Sequence, residues 1–144
     1  MMLALSVRQP WANLIFAPPR FAKTVEVRSW RTRHRGELLI HAAVSKVDRA
    51  DCKRLGAADE PRGVIIGRVR LVKIERATTR RWRELRKRHL CAGPRPYEKE
   101  NKKTYLWFFE RPDLFGTPVP CLGQLGLFPV PDRVLSSERR TPQK

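Results

Sequence analysis

Lys23-Thr24-Val25-Glu26-Val27-Arg28-Ser29-Trp30 alternates: Val25 and Val27 face one way, while Thr24, Glu26, Arg28 and Trp30 face the other. A period of two is that of a β-strand with one buried face, so this stretch reads as a strand bearing a charged row. Outward from it, the basic turn 31–35 leads to Gly36 and a second strand over 37–43. There Leu38, Ile40 and Ala42 fall on one face and Leu39, His41 and Ala43 on the other, which is the pattern of a strand covered on both sides. Upstream, residues 3–7 form an apolar run fit for a first buried strand. Pro10 then opens a short helix whose apolar face is Trp11, Leu14 and Ile15, closed by Pro18-Pro19.

Downstream, Ser45 is placed to cap a helix over 47–55 that Gly56 stops. Residues 63–75 read as a long strand whose inward set changes phase, Val69 and Leu71 first, Val72 and Ile74 afterwards, which calls for a bulge near Leu71. Thr79 caps a predicted helix running to Leu90, with Trp82, Leu85 and His89 on one face and six basic residues around the rest. Gly93, Pro94 and Pro96 mark 91–103 as a loop. An aromatic strand over 105–109, ended by Pro112, and a last strand over 123–130 complete the pattern. We expect one domain over 1–135 and a disordered basic tail over 136–144.

Lys and Arg number 31 against 14 acidic residues, a net charge of +17 with a pI near 11.2. That excess is far beyond what solubility requires and points to a polyanionic partner. Nucleic acid is the expected partner, RNA favoured over DNA, with an acidic protein partner left open. No apolar run approaches the ~18 residues of a spanning helix, so no membrane partner is expected. The apolar start is too short for a signal-peptide core and meets Arg8, Gln9 and Pro10 at once, so we expect the protein inside the cell, in the cytoplasm. Cys52, Cys91 and Cys121 lie far apart, and no His, Cys or acidic group has metal-ligand spacing, so neither metal nor cofactor is expected.

The blocks Ser6-Val7-Arg8-Gln9-Pro10-Trp11-Ala12, then 23–30, Arg35-Gly36, Ile40-His41-Ala42-Ala43 and Gly63-Val64-Ile65-Ile66-Gly67 resemble, in order and spacing, the ASCH family, the activating-signal-cointegrator homology domains. The resemblance covers nearly the whole chain. It implies an α+β fold, a small PUA-like β-barrel of five or six strands with two or three helices around a basic cleft. It also implies association with RNA processing and transcription coactivation. By the same resemblance Gln9, Pro10, Trp11, Lys23, Thr24, Glu26 and Arg28 border the cleft. One enzymatic branch that the chain resembles removes acyl groups from N4-acylcytidine with a Lys-Thr-x-Thr version of the motif, and here Glu26 stands in place of its nucleophilic threonine. Another member is a single-strand ribonuclease.

The candidate nucleic-acid-binding residues are Arg8, Gln9, Trp11, Lys23, Thr24, Arg28, Trp30, Arg31, Arg33, Arg35, Arg81 and Lys87. Lysine supplies a point charge and arginine a planar fork for phosphate, and tryptophan a face for an unstacked base. Trp11 also lies on an apolar helix face, which favours the core, and Trp82 and Trp107 read as core. Glu26 is either the partner that orients Arg28 or a base. His41, on a mostly apolar strand face, reads first as a satisfied buried histidine. Lys23, Glu26 and His41 are nonetheless the trio from which metal-free cleavage could be assembled. The leading reading is a binding module, and the alternative is a small hydrolase using the same cleft, a metal-independent ribonuclease or an N4-acylcytidine amidohydrolase.

Overall fold

A computed structural model describes residues 1–98 and 102–139. Its elements run β1 (Met2–Val7), α1 (Trp11–Ile15), β2 (Val25–Arg28), β3 (Gly36–Ala42), α2 (Arg49–Leu55), β4 (Val64–Arg76), α3 (Thr79–Glu84), α4 (Arg86–His89), β5 (Tyr105–Pro120), β6 (Leu127–Val130) and α5 (Asp132–Arg139). The six strands form one mixed sheet in the order β2-β5-β4-β3-β1-β6. All neighbouring pairs are antiparallel except β1 with β3. The α+β class and the strand number agree with the sequence reading. The barrel takes the form of a sheet ending at β2 and β6, and among the described residues these two do not pair. No described helix is long and apolar enough to cross a membrane.

β3 is buried on both sides because Leu38, Ile40 and Ala42 enter the main core with Trp107 and Phe109, while Leu39 enters a second cluster with Phe128 and Val130. The phase change in β4 is a bulge: Leu71 pairs with Phe109 but Lys73 with Phe108, leaving Val72 as the extra residue. Val69 and Leu71 before it and Ile74 after it therefore face the same core, and Val72 turns to a third cluster around Trp82.

Several boundaries differ from expectation. β5 does not stop at Pro112 but continues to Pro120. Two residues, Arg111 and Pro112, stand opposite Val69 alone, so the proline occupies a bulge, where its missing N–H costs no ladder bond. The helix predicted from Thr79 to Leu90 breaks at Leu85, and its cap is Thr78, whose Oγ1 accepts the Arg81 N–H at 3.1 Å. Among the described residues the helical segments are short, and the break at Leu85 divides one expected helix into two. Ser45 caps nothing: α2 starts at Arg49, and Gly56 ends it in the left-handed region as expected. The last strand starts at Leu127, and residues 121–126 form a loop ahead of it. α5 carries the chain in helical form through 136–139, where the disordered tail was expected to begin, and 140–144 lie outside the described residues.

One close approach fixes how α1 meets the sheet. A Cβ on Gly67 would come 2.5 Å from the Asp113 carbonyl oxygen and 2.7 Å from the Phe16 ring. Gly67→Ala is expected to cost about 1–3 kcal/mol, because backbone and ring must both shift. Urea unfolding measures this, and a midpoint equal to that of the parent protein would show that the layers part at no cost.

Candidate functional site

β2 is short, and its entry is pinned by backbone bonds to two helices. The Lys23 N–H donates to the Leu14 carbonyl at 2.8 Å, and the Thr24 N–H to the Arg88 carbonyl at 3.0 Å. This geometry draws Lys23 inward until it is only 1% exposed. Its Nζ donates to the His89 carbonyl at 2.6 Å, lies 3.6 Å from Glu26 Oε1, and stands 4.7 Å from the centre of the Trp11 ring. Glu26 Oε2 accepts from Arg28 Nε at 3.0 Å and from Arg28 Nη2 at 2.7 Å. Arg28 Nη2 also donates to the Ser6 carbonyl at 2.9 Å, which ties β2 to β1 across the cleft. Burial works against ionising Glu26, but the charges of Arg28 and Lys23 and the hydrogen bonds from Arg28 outweigh it and hold the carboxyl below its ordinary range. The floor of the site is therefore a buried carboxylate between two cations, one net positive charge facing a cavity.

The cavity has a volume of about 1130 Å³. Arg8, Trp11, Lys23, Glu26, Arg28, Trp30 and His41 all line it, so the structure brings together seven of the residues singled out in the sequence. Trp11 is half-buried rather than enclosed in the core, because its Nε1 donates to Asp48 Oδ2 at 2.6 Å at the cleft wall. Arg8 approaches the same carboxylate at 3.6 Å. Trp30 stands edge-on to Trp107 with ring centres 4.8 Å apart. Trp82 and Trp107 are core residues, 2% and 0% exposed.

Five of the remaining candidates point elsewhere. Gln9, bracketed with the cleft by resemblance, is buried and holds α1 to the 58–61 segment: its Nε2 donates to the Pro61 carbonyl at 2.7 Å and its Oε1 accepts the Asn13 N–H. Thr24 faces α4, where its Oγ1 accepts from Arg88 Nε at 2.8 Å. Arg31 lies 5.8 Å from the Tyr105 ring centre, Arg35 donates to the nearby Thr32 and His34 carbonyls, and Arg81 pairs with Glu75. Arg33 and Lys87 are exposed and outside the cavity lining. The physical reason is common to the cations: the turn 31–35 and the outer face of α3 and α4 look away from the cleft.

The candidate trio does not meet at one point. Lys23 and Glu26 are adjacent, but His41 engages other partners. Ser6 and His41 are opposed in the parallel pairing of β1 with β3, and Ser6 Oγ lies 2.9 Å from His41 Nδ1. His41 Nε2 lies 2.7 Å from the Cys121 carbonyl oxygen. A carbonyl only accepts, so Nε2 carries the proton and Nδ1 accepts from the Ser6 hydroxyl. Burial lowers the pKa of His41 against the opposing pull of that carbonyl, which keeps the ring neutral. His89, on α4, is likewise neutral: Nε2 donates to the Trp82 carbonyl at 2.9 Å, Nδ1 accepts the Cys91 N–H at 3.0 Å, and the ring stacks on Trp82. Burial, with Lys23 and Arg86 nearby, pushes its pKa down to about 4, although the Trp82 carbonyl pulls the other way.

Sequence reasoning missed Ser6, Lys46, Asp48, Tyr97 and the loop 122–126, all of which line the cleft. Ser6 stood inside a quoted block, but only its cross-strand neighbour gives it meaning. The others come from connections that carry no periodicity.

The ASCH domain family model matches residues 5–113. Human activating signal cointegrator 1 is 38% identical over 81 residues, a stretch covering 47% of this chain and 13% of that much longer protein. Crystal structures of ASCH from Zymomonas mobilis superpose with a TM-score of 0.68 at 14% identity, covering 97% of this chain and 94% of the other. A point mutant of that protein gives the same TM-score and identity over 97% of both chains.

Proposed function

Because the chain belongs to the ASCH domain family and has its PUA-like fold, we propose that it binds nucleic acid in the cleft beside β2, taking a single-stranded or unpaired RNA segment in preference to DNA. The observation that carries this reading is the meeting of cations and aromatic faces in one cavity: Arg8, Arg28 and Lys46 beside Trp11, Trp30 and Tyr97. Cations hold the phosphates, and aromatic faces take bases that are free of a stack. Paired bases present no face, so a single strand or a splayed-out nucleotide fits this arrangement. Within the site Glu26 orients Arg28, whose side chain keeps 21% of its surface open, and Lys23 supplies charge from beneath. The exposed cations outside the cleft, Arg33 and Lys87 among them, extend the positive field along which the polyanion approaches. The protein acts as a binding module over residues 1–135, in the cytoplasm.

The test is a salt titration with a labelled single-stranded RNA and the DNA of the same sequence. Each neutralised phosphate contributes about 0.7 to the slope of log affinity against log salt on single strands. Three cleft cations predict a slope near −2, hence roughly a tenfold loss or more between 50 and 200 mM salt. Arg8→Ala and Lys46→Ala should each flatten the slope by about 0.7. Binding that ignores salt, or slopes unmoved by both variants, overturns the reading, and equal affinity for DNA removes the preference for RNA.

A further inference from the structure

Phosphate contacts and base stacking leave one constellation in the cleft without a task. Ser6 Oγ donates to His41 Nδ1 at 2.9 Å, and the Cys121 carbonyl fixes the imidazole tautomer from the other side at 2.7 Å. His41 is 1% exposed, whereas Ser6 is half-buried and lines the cavity, so the serine hydroxyl is what a ligand meets. Directly over the pair runs Gly123, where a Cβ would come 2.7 Å from His41 Cε1 and 3.1 Å from Ser6 Oγ. Its neighbours Leu122 and Leu125 line the same cavity yet are 88% and 99% exposed. Nucleophile, base, an acceptor that orients the base and an apolar rim are the parts of covalent acyl transfer.

We propose that Ser6 is a nucleophile activated by His41, and that it accepts acyl groups from esters or amides whose apolar acyl part lies against Leu122 and Leu125. Ser6 Oγ forms a bond to the acyl carbon, its proton passes to His41 Nδ1, and the carbonyl electron pair moves onto oxygen. Arg28, held at 2.9 Å on the carbonyl of the same serine, is the cation placed to face that oxyanion. On collapse the bond from the acyl carbon to the leaving oxygen or nitrogen breaks, and the leaving group takes the proton from His41. A water molecule then gives its proton to His41 and attacks the acyl-serine. The carboxylic acid leaves, and Ser6 recovers its proton. No metal and no redox partner enters the balance.

The test uses the full chain, a fluorophosphonate probe read by intact mass and peptide mapping, and p-nitrophenyl butyrate hydrolysis. The expected result is one adduct per chain on Ser6, absent in Ser6→Ala, formed at least tenfold more slowly in His41→Gln, with ester turnover lost in parallel. Gly123→Ala, which fills the space over the pair, should slow labelling to a similar degree and serves if His41→Gln fails to fold. No adduct on folded wild-type protein, an adduct elsewhere, or a rate unchanged in both variants overturns the proposal. RNA retention is measured on the same wild-type sample. The proposal shares the cleft with the nucleic-acid reading without resting on it, so labelling without RNA retention, or the reverse, tells which of the two fails.

Discussion

Glu26→Ala is expected to lower the unfolding free energy by about 3–5 kcal/mol, because it leaves two cations facing each other with no carboxylate between them. The size follows from burial: Lys23 is 1% exposed and Glu26 5%, so water cannot take over the solvation that the carboxylate provides. For a chain of this length such a loss moves Tm down by on the order of 10 °C. Glu26→Gln keeps the shape and one acceptor, and its loss should be smaller. The acid limb has a definite sign. A carboxyl held below its ordinary range in the folded state contributes stability that is complete at neutral pH and is lost as pH falls through the lowered value. Calorimetry at pH 7 checks the first part, and a Tm within 2 °C of the parent would show that solvent reaches the Lys23 ammonium after all.

How far the site was legible follows from what each signal depends on. Alternation over 23–30 is local, and it correctly placed Glu26 and Arg28 on one strand face, where they now form a 2.7 Å ion pair. The phase change in β4 was legible for the same reason, since a bulge leaves its mark on the hydrophobic pattern itself. What the pattern could not contain is direction in space. Arg8 and Arg35 look alike in sequence, yet one lines the cleft and the other bonds the carbonyls of its own turn. Gln9 illustrates a further limit, because the family resemblance set it at the cleft together with Trp11. Two positions of chain at the entry to α1 separate Trp11, which meets the cavity, from Gln9, which fastens the helix to a distant segment. Pro112 misled for a different reason: a proline ends a strand only where its nitrogen faces a partner, and that is a property of the neighbour.

A second large effect is expected on the acid side of neutrality. His89 is 0% exposed, both ring nitrogens are engaged, and its pKa is about 4 against an ordinary value of 6.5. A lowered histidine pKa means that the unfolded chain takes up the proton first. Its contribution is therefore full above about pH 6.5 and disappears progressively down to about pH 4, below which it changes no further. A difference of that size corresponds to about 3 kcal/mol. Protonating Nδ1 would also break the bond from the Cys91 N–H and place a second cation beside Lys23, whose ammonium is held by the carbonyl of this same residue. Urea unfolding at pH 7 and pH 4.5 measures the loss, and in His89→Gln the steep part of the difference should vanish. If both proteins lose the same amount, the acid sensitivity belongs to other groups, with the carboxylates first among them.

The pairing of Met2 with Val130 and of Leu5 with Leu127 has a bearing on how the molecule comes into being. Of the described strands β1 is made first and β6 last, so β1 waits for the partner on its outer edge until every other strand has been made. Until then its outer backbone groups are open to other strands, and the loop that must close is almost as long as the chain. The stretch that matches the family model ends at residue 113, well short of β6. A fragment cut at that boundary would keep every residue of the charged strand and still lack the strand that shields β1, so its failure to remain monomeric would say nothing about the cleft.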